Sequence, residues 1–230
     1  MAKKKKYYAV VIGRNPGIYT AWKGQNGAQA QIIRFSGSVY KGFETEGEAK
    51  EYMKQPINEQ PDIQETEAEG LKEGKIIIYT DGACINNPGP GGYGVVLKNK
   101  RKTKELSGGY RMTTNNRMEL MACIMGLSAL KKPPSSVILF SDSQYVVNGI
   151  TQGWAKGWQS KGWMRNKTEP AVNPDLWEQL LKLCGQHDVR FQWVRGHDGN
   201  EGNERCDELA NKAALGSTLL KDDVYEGNNN

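Results

Sequence analysis

Hydrophobic positions along the chain fall into two unequal groups with a polar, acidic stretch between them. In the first group, Tyr7-Tyr8-Ala9-Val10-Val11-Ile12 predicts a strand, followed by the turn cluster Gly13-Arg14-Asn15-Pro16-Gly17. A second strand over 18–22, a glycine-bearing loop leading to an apolar stretch at 30–35, and a third strand over 38–43 come next. Residues 45–53 predict an amphipathic helix with an acidic start, capped by Thr45. The result is a small α+β unit, residues 1–54, with three strands and one short helix. So small a core suits a binding module better than an enzyme.

The second group, residues 75–217, opens with a strand over 75–80 whose Ile76-Ile77-Ile78 run suits burial on both faces. Asp81 ends that strand, and 81–92, rich in Gly, Asn and Pro, reads as a long turn. Strands over 93–98 and 104–110 follow, then a helix over 117–130 stopped by Pro133-Pro134. A strand over 137–140 ends at Ser141-Asp142-Ser143, and short helices cover 144–149, 153–159 and 174–184, the last with Pro174 at its first position. A strand over 189–194 and a helix over 203–215 complete a mixed α/β sheet covered on both faces.

Charge sharpens the division. Residues 1–54 carry ten basic and four acidic side chains, residues 55–74 one basic and six acidic, and residues 75–150 again ten and four. Two basic blocks on either side of an acidic tether point to two modules that both meet a polyanion, although chance clustering on a solvated surface gives the same count. The tether, 55–74, reads as an extended linker, and 218–230 as a flexible tail. No apolar run approaches the length of a membrane span, and the basic Met1–Lys6 leads into a strand, unlike a signal peptide. Cys84, Cys123, Cys184 and Cys206 form no Cys-x-x-Cys pair. They read as reduced thiols of a cytoplasmic protein with no zinc site.

Four carboxylates need an explanation. Asp81 and Asp142 both follow strands, where ligands of such sheets bind; a turn pair with Gly82 and a helix cap are their plainer readings. Glu119 stands near the start of a helix apolar almost all round, where an unpaired carboxylate costs several kcal/mol. A capping box with Asn116 would satisfy it, and so would a cation. Asp207 adjoins Cys206 and Leu209-Ala210 at the edge of an apolar stripe. If the four converge, two hard divalent cations, Mg²⁺ or Mn²⁺, would balance their charge and serve displacement at phosphorus. His197, in a glycine-flanked loop, suits proton shuttling, whereas His187 reads as a surface residue. Trp154, Lys156, Trp158 and Lys161 belong to an acid-free stretch over 151–168 that suits a phosphate backbone, unless its tryptophans are core and its lysines their rim.

Together these residues resemble the bacterial-type (type 1) ribonuclease H family. The carriers are Tyr79-Thr80-Asp81-Gly82, Asn87-Pro88-Gly89-Pro90-Gly91-Gly92-Tyr93-Gly94, Thr114-Asn115-Asn116-Arg117-Met118-Glu119-Leu120, Ser141-Asp142-Ser143-Gln144-Tyr145-Val146, Trp193-Val194-Arg195-Gly196-His197 and the helix around Asp207. The resemblance implies a five-stranded mixed sheet with flanking helices and cleavage of the RNA strand of RNA–DNA hybrids, leaving 5′-phosphate and 3′-hydroxyl ends. It implies that Asp81, Glu119, Asp142 and Asp207 hold two Mg²⁺ and that His197 assists product release or proton transfer. It also places Cys84, Asn115, Asn116 and Gln144 at the minor groove of the hybrid, Asn87, Thr114 and Arg117 at a DNA phosphate, and 151–168 as a basic protrusion. Residues 7–53 resemble the hybrid-binding, or caulimovirus viroplasmin-like, module, through Tyr8-Ala9-Val10, Gly13 to Tyr19, Trp22 and Tyr40-Lys41-Gly42-Phe43. By that resemblance Tyr8, Trp22, Tyr40 and Lys41 contact hybrid, with double-stranded RNA a further ligand. A monomer with no membrane partner is expected.

Overall fold

A computed structural model describes residues 6–33, 39–54, 62–196 and 198–227. The chain divides into two units, 1–65 and 66–230.

In the first unit, β1 (Tyr7–Ile12) is the centre of a three-stranded antiparallel sheet, flanked by β2 (Gly17–Tyr19) on one side and, on the other, β3 (Val39–Phe43). The apolar stretch after the glycine loop is a helix, α1 (Ala28–Ile32), rather than part of a one-helix unit. Gly13 permits that: a Cβ there would sit 2.6 Å from Val10 Cγ1 and 2.9 Å from the Gln31 carbonyl. The second helix, α2 (Glu46–Lys54), starts where the sequence places it. Thr45 Oγ1 accepts from the Glu48 amide at 3.3 Å while Glu48 accepts from the Thr45 amide at 3.1 Å, a reciprocal cap.

The acidic tether is not extended where the structure describes it. Residues 63–72 form α3 (Ile63–Lys72), and its buried Thr66 and Gly70 share one face. A Cβ at Gly70 would lie 2.8 Å from Ile138 Cδ1, so the missing side chain is what lets α3 lie against the sheet. Residues 55–61 lie outside the described residues, as does most of the basic N-terminus.

The second unit is built on a five-stranded sheet in the order β6-β5-β4-β7-β8. Its strands are β4 (Ile76–Cys84), β5 (Gly89–Lys98), β6 (Thr103–Thr113), β7 (Ser136–Ser141) and β8 (Asp188–Trp193). β4 pairs antiparallel with β5 and parallel with β7, as the sequence order of hairpins before crossovers requires. The helices are α4 (Asn115–Ser128), α5 (Gln144–Thr151), α6 (Trp154–Gln159), α7 (Pro174–Cys184), α8 (Glu201–Ala214) and α9 (Asp223–Gly227). The core gathers Ile78, Val95, Leu120, Leu127, Leu139 and Trp177, all essentially solvent-free. No helix among the described residues is long and apolar enough to cross a membrane.

Three expectations change here. β4 runs on through Asp81 to Cys84, because glycines at 91, 92 and 94 let β5 pair with it residue for residue. The tail is not loose up to residue 227: Leu220 bridges Tyr110, and Arg111 is clasped by Glu226 at 2.8–3.2 Å. His187 is buried, its Nδ1 accepting from the Ser135 amide at 3.2 Å.

Candidate active site

Asp81 sits at the middle of the sheet, and the next residue decides what faces it. Gly82 lies against the first turn of α4, where a Cβ would overlap the Glu119 amide and the Met118 carbonyl carbon. That close approach brings Glu119 beside Asp81. Asp142 arrives from the neighbouring parallel strand, immediately past the end of β7, and its carbonyl accepts from Trp193 Nε1 at 2.9 Å. Carboxylate oxygens of Asp81, Glu119 and Asp142 lie within 4.8 Å of one another.

Burial decides the electrostatics of this group. Desolvation pushes the Asp81 carboxyl well above the usual carboxylate range, and the charges of Asp142 and Asp207 push it further; the Gly82 amide, donating to Asp81 Oδ1 at 2.7 Å, opposes them. Glu119 is raised for the same reason, by burial first and then by Asp81 and Asp142. The cap with Asn116 does not form. Thr114 precedes the helix instead, Asn115 Nδ2 donates to Glu119 Oε1 at 3.3 Å, and Glu119 Oε2 is buried with no hydrogen-bond partner among the described residues. Asp207 stands apart from the tight cluster. It is held by Asn211, whose Nδ2 donates to Asp207 Oδ1 at 2.8 Å.

A partnerless buried oxygen inside an all-oxygen, triply acidic cluster fits a hard divalent cation. It also fixes a pH dependence. Carboxyls raised in the folded state contribute most to stability below their ordinary range, and that contribution is lost as pH rises through the raised values. A cation reverses the loss. The gain in Tm on adding Mg²⁺ over chelator should therefore be larger at about pH 8 than at about pH 5. Equal gains in thermal melts at both pH values would show that the cluster does not share a cation.

Comparison with known proteins agrees with this geometry. The family model for RNase H matches residues 73–215, and one described as the ribonuclease H1 N-terminal domain matches 6–53. The chain belongs to the ribonuclease H family. It is similar to the ribonuclease H of Desulforamulus reducens, 65% identical over 66% of this chain and 94% of the relative. The ribonuclease H of Syntrophus aciditrophicus is 61% identical over 66% of this chain and 87% of its own length. The crystal structure of LC9-RNase H1, a type 1 RNase H with the type 2 active-site motif, superposes with a TM-score of 0.57 at 31% identity, covering 67% of this chain and 80% of that one. As a ribonuclease H, the chain is a hydrolase that acts on the RNA strand of RNA–DNA hybrids.

Around the carboxylates, most residues assigned to hybrid lie at the surface of the same edge. Asn115, Thr114 and Gln144 are half-buried and Asn116 is exposed. Asn87 Oδ1 accepts from the Asn115 amide at 3.0 Å, tying the turn after β4 to the start of α4. Cys84 is half-buried, its thiol 3.4 Å from the Thr113 carbonyl. Arg117 departs from expectation. It is buried, with Nε on Asp222 Oδ2 at 2.6 Å and Nη2 on Asp175 Oδ2 at 2.7 Å, so its guanidinium serves the interior instead of a DNA phosphate. Nothing in the sequence near Arg117 signals this, because its partners stand 58 and 105 residues away. Lys156 and Lys161 are exposed and Trp154 is 44% exposed, whereas Trp158 packs edge-on against buried Trp177. His197 lies outside the described residues.

In the first unit Trp22 lies between two tyrosines, 5.2 Å from the ring of Tyr8 and 5.4 Å from that of Tyr40. A cleft of about 770 Å³ lined by Tyr8, Trp22, Lys6 and Lys23 adjoins them. Lys41 does not join this group. Strand alternation turns it away from Tyr40, and its Nζ lies 5.6 Å from the rings of both Phe43 and Tyr52.

Proposed function

We propose that Asp81, Glu119 and Asp142, joined by Asp207, hold two Mg²⁺, with Mn²⁺ able to substitute, and cut the RNA strand internally. What supports this is Glu119 Oε2, a buried carboxylate oxygen with no hydrogen-bond partner among the described residues, inside a cluster of three. Divalent cations bound there would supply the charge that activates water and steadies the leaving oxygen. Attack forms a bond from water oxygen to phosphorus and breaks the bond to the 3′-oxygen, giving 5′-phosphate and 3′-hydroxyl ends. Cations held there would favour the ionised forms of Asp81 and Glu119, whose carboxyls burial pushes up, and Asp142 is the least buried of the three.

Cys84, Asn115, Asn116 and Gln144 read the minor groove, while Asn87 and Thr114 hold a DNA phosphate. Trp154, Lys156, Trp158 and Lys161 follow the backbone as a protrusion. One chain supplies every carboxylate, so a monomer suffices, and four free thiols suit the cytoplasm. The test is a labelled-strand assay with Mg²⁺ on hybrid, RNA duplex and DNA duplex. Cleavage confined to the RNA of the hybrid supports the reading, and binding without cleavage, or cutting of all-DNA duplex, refutes it.

His197 completes the proposal as an acid–base group. His197→Ala should slow turnover without abolishing it, because the carboxylates retain the main electrostatic work. A loss as complete as that of a carboxylate variant would overturn that role.

For the first unit, Tyr8, Trp22 and Tyr40 form the hybrid-binding surface, with double-stranded RNA as a second ligand. Stacking contacts are worth about 1–3 kcal/mol per base. Trp22→Ala combined with Tyr40→Ala should weaken binding to long hybrid at fixed salt and reduce repeated cuts, leaving the single-turnover rate on a short hybrid unchanged. Undiminished binding by the double variant would assign these rings to the unit's own packing.

A further inference from the structure

The family match begins at residue 73, yet α3, just before it, inserts a carboxylate into the second unit. Glu67 Oε2 accepts from the hydroxyl of Tyr79 at 2.6 Å, and Lys98 Nζ donates to Glu67 Oε1 at 2.9 Å. Tyr79 is fully buried in β4, two residues before Asp81, its ring stacked on Phe140 at 4.8 Å. Asn200 caps α8, its Oδ1 accepting from the Asn203 amide at 2.9 Å. Within that first turn, Gly202 faces the Tyr79 ring so closely that a Cβ there would lie 2.5 Å from Tyr79 Cδ2.

A phenylalanine would fill the same space in the core, so packing alone does not require the hydroxyl. What the hydroxyl adds is a link. It ties α3 to the ring that lies against Gly202 in the first turn of α8, the helix that carries Asp207. We propose that Glu67 is a positioning residue for hydrolysis, acting through Tyr79 on the first turn of α8. The inference rests on the hydrolytic reading of the carboxylate site. Glu67 touches neither substrate nor the reacting atoms. It holds the tyrosine hydroxyl in one direction, and with it the ring against which α8 starts.

The test uses the full chain with Mg²⁺ and labelled hybrid. Glu67→Ala should lower kcat roughly five- to tenfold while KM stays within about twofold, because orientation is lost and substrate contacts are not. Tyr79→Phe, which keeps the ring but frees it from Glu67, should give the same loss, and the double variant no more than either alone. Glu67→Gln keeps an acceptor for the hydroxyl and should restore kcat to within about twofold of the unaltered chain. Gly70→Ala is the control for stability: crowding Ile77 and Ile138 should lower Tm and leave kcat at about 25 °C unchanged. Wild-type kcat in Glu67→Ala and Tyr79→Phe overturns the inference. So does a matching kcat loss in Gly70→Ala, which makes the effect one of stability, or a Glu67→Gln variant as slow as Glu67→Ala, which moves it to the Lys98 ion pair. An unaltered chain that leaves hybrid intact removes the hydrolytic reading and this one together.

Discussion

Asp142→Asn is expected to lower kcat on hybrid by at least about a thousandfold while the Kd for hybrid changes by less than about threefold. The substitution keeps the shape of the side chain and removes one charge from a cluster whose oxygens lie within 4.8 Å. Hybrid affinity comes mainly from contacts along the phosphate backbone elsewhere, so it survives. The same change carries a second signature. Asp142 is one of the charges that push the carboxyls of Asp81 and Glu119 upward, and its removal relieves that repulsion. In chelator above neutral pH, Asp142→Asn should therefore melt at a higher temperature than the unaltered chain. Turnover within a few-fold of normal, or a lower melting temperature in chelator, would show that the three carboxylates are not acting as one site.

The largest stability effect is expected from Asp222→Ala. Arg117 is almost wholly enclosed and shared between Asp175 and Asp222, whose side chains are 20% and 5% exposed. Asp222 also accepts from Thr113 Oγ1 at 2.8 Å, and its amide donates to Glu226 at 3.2 Å. Deleting one member of such a group leaves buried charge and buried donors unsatisfied, a cost of about 3–5 kcal/mol. For a unit of this size the transition should fall by on the order of 10 °C. Urea unfolding followed by tryptophan fluorescence measures it directly. A loss below about 1 kcal/mol would mean that water reaches Arg117 and replaces the carboxylate.

The sequence made the second unit legible in detail because its elements are locally coded. Pro174 marks the start of α7, and the apolar run around Glu119 marks the buried helix that carries it. Of the three clustered carboxylates, only Glu119 was an anomaly of local chemistry; Asp81 and Asp142 each had a plainer reading, as a turn pair and a helix cap. What escaped depends on contacts distant in sequence. Arg117 looks like a surface cation until Asp222, 105 residues later, is folded against it. The acidic composition of 55–74 hid a helix whose buried face consists of a threonine and a glycine, residues that carry little apolar signal. The resemblance placed Lys41 with Tyr40 at the hybrid, whereas strand geometry sends neighbours to opposite faces. Asp81 looked like a strand end because glycine reads as a turn, yet here Gly82 is the point where helix and strand backbones nearly touch.

The ion triad also bears on how the chain is made. A ribosome releases Arg117 long before Asp222; at about 5–20 residues per second the 105 intervening positions take roughly 5–20 s. Throughout that interval the guanidinium has at most Asp175 to neutralise it, and the strand carrying Arg111 lacks the Leu220 backbone that later bonds to it. The elements β1, β2, β3 and α2, by contrast, pair and pack with one another within the first 54 residues and can do so while the remainder is still being translated. Nascent chains of increasing length should therefore gain protease resistance in two stages, the second arriving only once residues 219–227 are clear of the exit tunnel.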